Sequence, residues 1–397
     1  MSPVGIGSED YWEALFKGKT GFSKITLFDT TPFKVHTAGE IIGFEPIKFL
    51  GPKNLRTLDR STTLLSSAAG LAIDSSGLKI TEDNTHFIGV SIGTTFGSIH
   101  SISQFDRSGL IEGPKCVNPS LFPNTVINSP ASQVSIRYKI KGFNTTISTG
   151  FCASLDAVSY AVDFIKLGRA EVVLAGGVEE LCEETFMGFH NVGYLSGVDG
   201  SEPMSCPFDA RRNGIILSEG AAVLIIESEE HAIGRGAEIL AEISGYGNCF
   251  DHSSDRKFRS AEGLKNAIEI ALKDAALRPD EIDYISACSN STRELDLMET
   301  RAIKEVFREN AINIPVSSIK SMIGESFSAS GALSLAAAIG AICKGIIPST
   351  VNYRERDFDC DLDYVPNVAR TQEIKTALVT SADPYGNNNA VIIRKYK

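Results

Sequence analysis

Cys152 is a candidate for nucleophilic chemistry, with one other reading beside it. It sits in the run Asn144-Thr-Thr-Ile-Ser-Thr-Gly-Phe-Cys-Ala-Ser-Leu-Asp-Ala-Val158. Thr145, Thr146, Ile147 and Thr149 form a β-branched stretch that predicts a buried strand. Gly150 permits a sharp turn. Leu155, Val158, Ala161, Val162 and Ile165 then recur at helical spacing. Strand, turn and helix together lift one side chain onto a helix N-terminus, where an anionic nucleophile is favoured. The plain alternative for Cys152 is a small buried side chain, the usual state of a free thiol. Lys320 and Glu325 are a second pair with chemical potential, close enough in sequence to form an internal ion pair that shapes a pocket.

The elements that must hold these groups are legible along the chain. At 397 residues, with 43% hydrophobic and 22% charged residues, one large body or two domains can form. The net charge of -11 argues against a nucleic-acid partner, because phosphates need basic neutralisation. It leaves room for an acidic protein partner docking on a local basic patch. The eight cysteines form no C-x-x-C pair, so neither zinc nor a disulfide framework is expected, nor any metal or cofactor. Free thiols predict a reducing cytoplasm. No apolar run is long enough for a membrane span, and the N-terminus carries no signal-peptide pattern.

Tyr11-Trp-Glu-Ala-Leu-Phe-Lys-Gly18 predicts a short amphipathic helix ended by glycine, and residues 20–49 an extended surface excursion. A helix over 56–75 carries a small-residue face (Ser66, Ser67, Ala68, Ala69, Ala72) suited to close packing. Strands follow at 86–93 and 171–177. Residues 94–130 read as punctuated loop, with Gly97, Gly109, Gly113-Pro114 and Asn118-Pro119. A second pass of strand and helix begins at 238–245 and continues with a helix at 260–275, a strand at 282–287 and a helix at 295–307. This alternation predicts an α/β fold with buried sheets covered by helices, in halves at 1–235 and 236–397.

The elbow run, together with Gly168-Arg-Ala-Glu-Val-Val-Leu-Ala-Gly-Gly177 and Pro207-Phe-Asp-Ala-Arg-Arg-Asn-Gly214, resembles the β-ketoacyl synthases of the thiolase superfamily. The resemblance covers nearly the whole chain and implies a duplicated five-layer α-β-α-β-α fold. Met1-Ser-Pro-Val-Gly-Ile-Gly7 is similar to the end of the family's first strand and turn, and the strand itself is missing: either it was cut off ahead of Met1 or this protein does without it, and the exposed sheet edge that its loss would leave favours the first. Condensation in that family uses a cysteine and two histidines. Ser148-Thr149 and Leu155-Asp156-Ala157-Val158 fix the frame, and the nucleophile position then falls on Phe151. Cys152 is its neighbour, and one step along a helix start turns a side chain by about 100°, out of the oxyanion site. Cys288, in Ser286-Ala-Cys-Ser-Asn-Ser-Thr292, takes the first histidine position, ahead of Asp296 and Glu299. Glu325, in Lys320-Ser-Met-Ile-Gly-Glu325, takes the second. A phenyl ring cannot carry an acyl group, a thiol is a weak donor, and a carboxylate has the wrong sign beside an enolate. None of the six histidines, at 36, 86, 100, 190, 231 and 252, replaces the missing pair.

With these positions altered and the motifs around them kept, the resemblance implies a non-catalytic member, the chain length factor of type II polyketide synthases. The Leu155-Asp156-Ala157 run is characteristic of the ketosynthase and chain-length-factor group. Such a subunit implies a heterodimer with a catalytic ketosynthase, contact with acyl carrier protein through that partner, and a steric role at the end of the acyl tunnel. Leu121, Phe122, Val126 and Ile127 are similar to residues lining the partner's tunnel, with ordinary loop packing as the alternative. Tyr385 takes a gatekeeper position in Ser381-Ala-Asp-Pro-Tyr-Gly-Asn-Asn-Asn-Ala390, where Asn387 and Asn388 replace a glycine and a threonine and stiffen the loop. Two other readings stay open: a condensing or acyl-transfer enzyme using Cys152, and an acyl-binding scaffold.

Overall fold

The computed structural model describes residues 1–252 and 260–397. The first half supplies β1 (Ile88–Gly93), β2 (Asn144–Ile147), β3 (Val172–Glu179) and β4 (Gly220–Glu227), in the order β2-β1-β3-β4. The second supplies β5 (Glu242–Phe250), β6 (Tyr284–Ser286), β7 (Val316–Ser317), β8 (Thr376–Ala382) and β9 (Asn387–Arg394), in the order β5-β9-β8-β6-β7. β3 and β8 are buried along their whole length, and β3 accordingly reads as a nearly unbroken apolar run.

The helices complete five layers. The chain forms α1 (Ser8–Phe16), α2 (Arg60–Ser76), α3 (Ile99–Ile111), α4 (Ser129–Tyr138), α5 (Ala153–Lys166), α6 (Glu183–Asn191), α7 (Glu262–Asp274), α8 (Arg293–Phe307) and α9 (Ser328–Lys344). α2 and α4 cover the outer face of the first sheet through Leu65, Ala69 and Val134. α7 and α8 cover the second through Leu264, Ile268 and Ile303. Between the sheets lie α5 and α9, where Leu155, Val158, Leu335 and Ala338 meet Val173 of one sheet and Val379 of the other. The approach is close because Gly331 has no Cβ; one placed there would lie 2.8 Å from Leu155 Cγ and Ser154 Oγ. Among the described residues no helix is long and apolar enough to cross a membrane.

Three expectations need correction. β2 is partly exposed rather than buried, because it is the edge of its sheet and one side awaits a neighbour. Residues 99–111 form α3 rather than loop, yet none of its side chains is buried, so no core-facing pattern marks it. Leu121, Phe122, Val126 and Ile127 are exposed rather than packed into their own chain, although Phe122 pairs with Phe105 at a ring separation of 5.9 Å.

Candidate functional site

The elbow forms where β2 hands over to α5. Gly150 adopts φ 62°, a left-handed conformation, and opens a short 3₁₀ turn over Gly150–Cys152. Thr149 and Asn248 both donate to the Asp156 carboxylate, tying the elbow to the second sheet. The Phe151 ring, 1% exposed, turns into an aromatic box. Its centroid lies 4.9 Å from Phe327, which stacks on Phe189 at 4.9 Å and meets Phe96 edge-on at 5.3 Å. Leu181, Leu195, Ile215 and Leu217 close the box. A phenyl group buried this way contributes about 1.5–3 kcal/mol, with a further increment of about 0.5–1.5 kcal/mol from each well-placed ring pair.

Cys152 is fully buried beside this ring, with its amide bonded to Thr149 O at 3.3 Å and its carbonyl accepting from Asn389 Nδ2 at 3.2 Å. Burial, then the Asp383 and Asp156 carboxylates, push its thiol well above the usual range. A nucleophilic cysteine needs the opposite surroundings, electropositive and open. Iodoacetamide is therefore expected to modify Cys116 and Cys343, both exposed, and to leave Cys152 and Cys288 untouched in peptide mapping of the folded chain.

Cys288 is buried at the end of β6. Its amide donates to Glu299 Oε1 at 2.9 Å and to Thr380 Oγ1 at 3.1 Å. Burial, with Glu299 second, raises this thiol well above its usual range as well. Glu299 also accepts from the Ser289 amide, at 2.8 Å, and from the Thr380 hydroxyl, so its role is to hold the loop after β6. Asp296 does the same from the next turn, accepting from the amides of Phe208 at 2.7 Å and Asn290 at 3.0 Å. Burial pushes the Asp296 carboxyl up to about 7 against the pull of Arg212.

Lys320 and Glu325 meet at 2.8 Å, both buried. The carboxylate has no capacity left for a substrate. Asn290 Nδ2 donates to Oε2 at 2.8 Å, while the Phe327 amide and the Ser330 hydroxyl donate to Oε1 at 3.0 and 2.8 Å. Burial alone would lower the Lys320 pKa, but Glu325 and the other anions around it raise it, so the lysine stays charged.

The loop between β8 and β9 holds a group that sequence reasoning missed. The amides of Tyr385, Gly386 and Asn387 all donate to Asp383 Oδ1, at 2.8, 2.9 and 3.1 Å. Three convergent amides make a cradle for an anion, as in oxyanion stabilisation. Here the chain's own carboxylate fills it, and Asp383 Oδ2 lies 2.1 Å from where a Cβ on Gly150 would stand. The signal was present as an Asx turn, Asp383-Pro-Tyr-Gly386. Tyr385 points away and is 71% exposed. Phe327 was also missed; it sits just past Glu325 with φ 47°, and only the folded chain brings it onto Phe151.

Beside the site, the exposed helix α3 is anchored by a buried acid. Glu180 accepts from the Ser61 amide at 3.1 Å and the His100 amide at 3.4 Å, joining the N-terminal turns of α2 and α3. Burial, with Asp59 next, pushes its carboxyl up to about 8. A carboxyl whose pKa is raised on folding holds its proton longer in the folded state, so its contribution weakens as pH rises from about 4.5 to 8. Moving from pH 5 to pH 8 is expected to cost the wild-type chain about 2–4 kcal/mol more than it costs Glu180→Gln, read from urea midpoints.

A duplicated α-β-α-β-α body with a strand-turn-helix elbow at its centre is the thiolase-like fold, and comparison with known proteins agrees. The profile described as beta-ketoacyl synthase, N-terminal domain, matches residues 1–232, and the C-terminal domain profile matches residues 240–354. The chain belongs to the beta-ketoacyl synthase family. It is 36% identical over 398 residues to 3-oxoacyl-[acyl-carrier-protein] synthase 2 of Coxiella burnetii, covering 100% of this chain and 96% of that one. It is 37% identical over 409 residues to the tetracenomycin polyketide synthase ketoacyl synthase alpha subunit of Streptomyces glaucescens, covering 100% and 95%. Among solved structures, the ishigamide ketosynthase/chain length factor superposes with a TM-score of 0.92 at 34% identity, covering 100% of this chain and 97% of the matched chain.

Proposed function

We propose that this chain is the non-catalytic, chain-length-factor subunit of a type II polyketide synthase in the cytoplasm. The carrying observation is the buried Phe151 ring, tilted against Phe327 at 4.9 Å in a sealed box; by the resemblance it takes the nucleophile's position. Glu325, saturated by Lys320, Asn290 and the α9 turn, offers no donor to an enolate. The subunit acts by shape. A catalytic ketosynthase holds the growing chain on its own cysteine and receives acyl carrier protein. The edge strand β2 pairs across the two-fold axis, and the exposed Leu121, Phe122 and Val126 close the far end of the partner's tunnel. Bulk at those positions limits how many extender units fit.

Similarity to the ishigamide ketosynthase/chain length factor supports this reading. A second reading, an active condensing enzyme using Cys152, draws on relatives named as synthases at 36% and 37% identity. The burial of Cys152 and the carboxylates around it speak against that reading. The test is co-expression with a ketosynthase that carries an intact cysteine and histidine pair. A one-to-one complex on size exclusion is expected, with product length shifting when Phe122 is changed to Ala. Separate elution, with the ketosynthase making the same products alone, would reject the proposal.

A further inference from the structure

The Phe151 box has an outer cover. Residues 25–36 bring Ile25 and Val35 into the same core as Phe151, with Phe28 and Phe33 packed against it. Phe186 of α6 meets both of those rings, at centroid separations of 5.5 and 5.2 Å. One turn further along α6, the His190 ring lies edge-on to Phe33 at 5.2 Å, and the Lys34 amide donates to its Nε2 at 3.2 Å. Among the described residues this is the only hydrogen bond joining residues 27–35 to α6. The ends of the segment are held separately: the Ile25 amide donates to the His36 carbonyl at 2.9 Å and the Thr26 amide to Glu40 Oε2 at 2.7 Å.

The direction of the Lys34 bond fixes the state of the ring. A backbone amide can only donate, so Nε2 carries no proton, and Nδ1, 3.3 Å from Asn191 Oδ1, carries it. The bond lasts while the ring is neutral. A proton added at Nε2 would set one N–H against another, and the Lys34 side chain brings a further positive charge. Histidine is the side chain whose ordinary charge change falls between about pH 5 and 8. The other titratable groups on the elements packed here are Asp29, Lys34 and His36 of the segment and Glu183 and Glu184 of α6. Asp29 accepts from the Thr31 amide at 2.9 Å, His36 Nδ1 lies 3.1 Å from Thr30 Oγ1, and Glu184 meets His100 of α3 at 3.0 Å.

We propose that His190 is a pH-sensitive latch on this cover. With a neutral ring it holds residues 27–35 on α6; with a protonated ring it lets them go and uncovers Phe186 and the outer side of the box. The sign follows from the acceptor: the closed form excludes the second proton and the open form admits it, so acid favours opening. The inference does not rest on the chain-length reading.

Hydrogen exchange read by mass spectrometry on the full chain tests it, over peptides spanning residues 27–36 and corrected for the intrinsic rate at each pH. Protection of the Lys34 amide is expected to fall about threefold or more between about pH 7.5 and about pH 5.5, the effect of losing one exposed hydrogen bond. His190→Gln carries a side-chain amide that does not titrate, and it is expected to show no such fall, whatever its level of protection. Unchanged protection in the wild-type chain would overturn the proposal. So would an equal fall in His190→Gln, which would assign the effect to another group, His36 or Glu180.

Discussion

Glu325→Ala is expected to lower the unfolding free energy by about 3–5 kcal/mol, the cost of leaving one member of a buried ion pair without its partner. Lys320 would be stranded: it is 2% exposed, and Glu325 is its ion-pair partner at 2.8 Å. The loss extends further, because the same carboxylate satisfies Asn290, the Phe327 amide and Ser330. Glu325→Gln keeps an acceptor for the α9 turn and is expected to cost less, though Lys320 still loses its counter-charge. Joint replacement, Lys320→Met with Glu325→Leu, removes both charges and is expected to recover part of the loss. Urea denaturation of the variants at pH 7 reads all of these. If Glu325→Ala were neutral, the pair would not be the structural device described.

Phe151→Ala is expected to cost about 3–5 kcal/mol, because it empties a box whose other walls are held by separate elements. Phe96 follows β1, Phe189 lies on α6 and Phe327 precedes α9, so the box cannot collapse as a unit. Phe151→Cys restores a thiol at the elbow but not the chemistry. On the proposed function, Cys288 and Glu325 stand where two donors to an enolate are needed, and Asp383 still fills the amide cradle. Its rate of malonyl-dependent condensation is expected to equal that of the unaltered chain. Thermal melts measure the first effect and product analysis the second.

Much of this was legible in the sequence, for identifiable reasons. β3 is covered on both faces, so its apolar run gave it away. Lys320 and Glu325 lie within one turn and a bend, so their meeting needed little tertiary information. The four rings of the box come from four distant segments, and no local pattern links them. β2 was misread as buried because threonine and isoleucine fit an edge strand as well as a central one. α3 was missed because Ile99, Ile102, Phe105, Leu110 and Ile111 cover no core of this chain, leaving only the glycines and prolines around it to read. On the proposed function a partner surface accounts for that pattern, and Phe122→Asp is then expected to weaken assembly with a ketosynthase at least a hundredfold.

The central claim is that no acyl group is ever carried on this chain. Intact mass after incubation of the purified protein with acyl and malonyl thioesters of acyl carrier protein tests it most directly. The unmodified mass is predicted at every time point. An acyl adduct that forms on the wild-type chain and disappears in Cys152→Ala would contradict it.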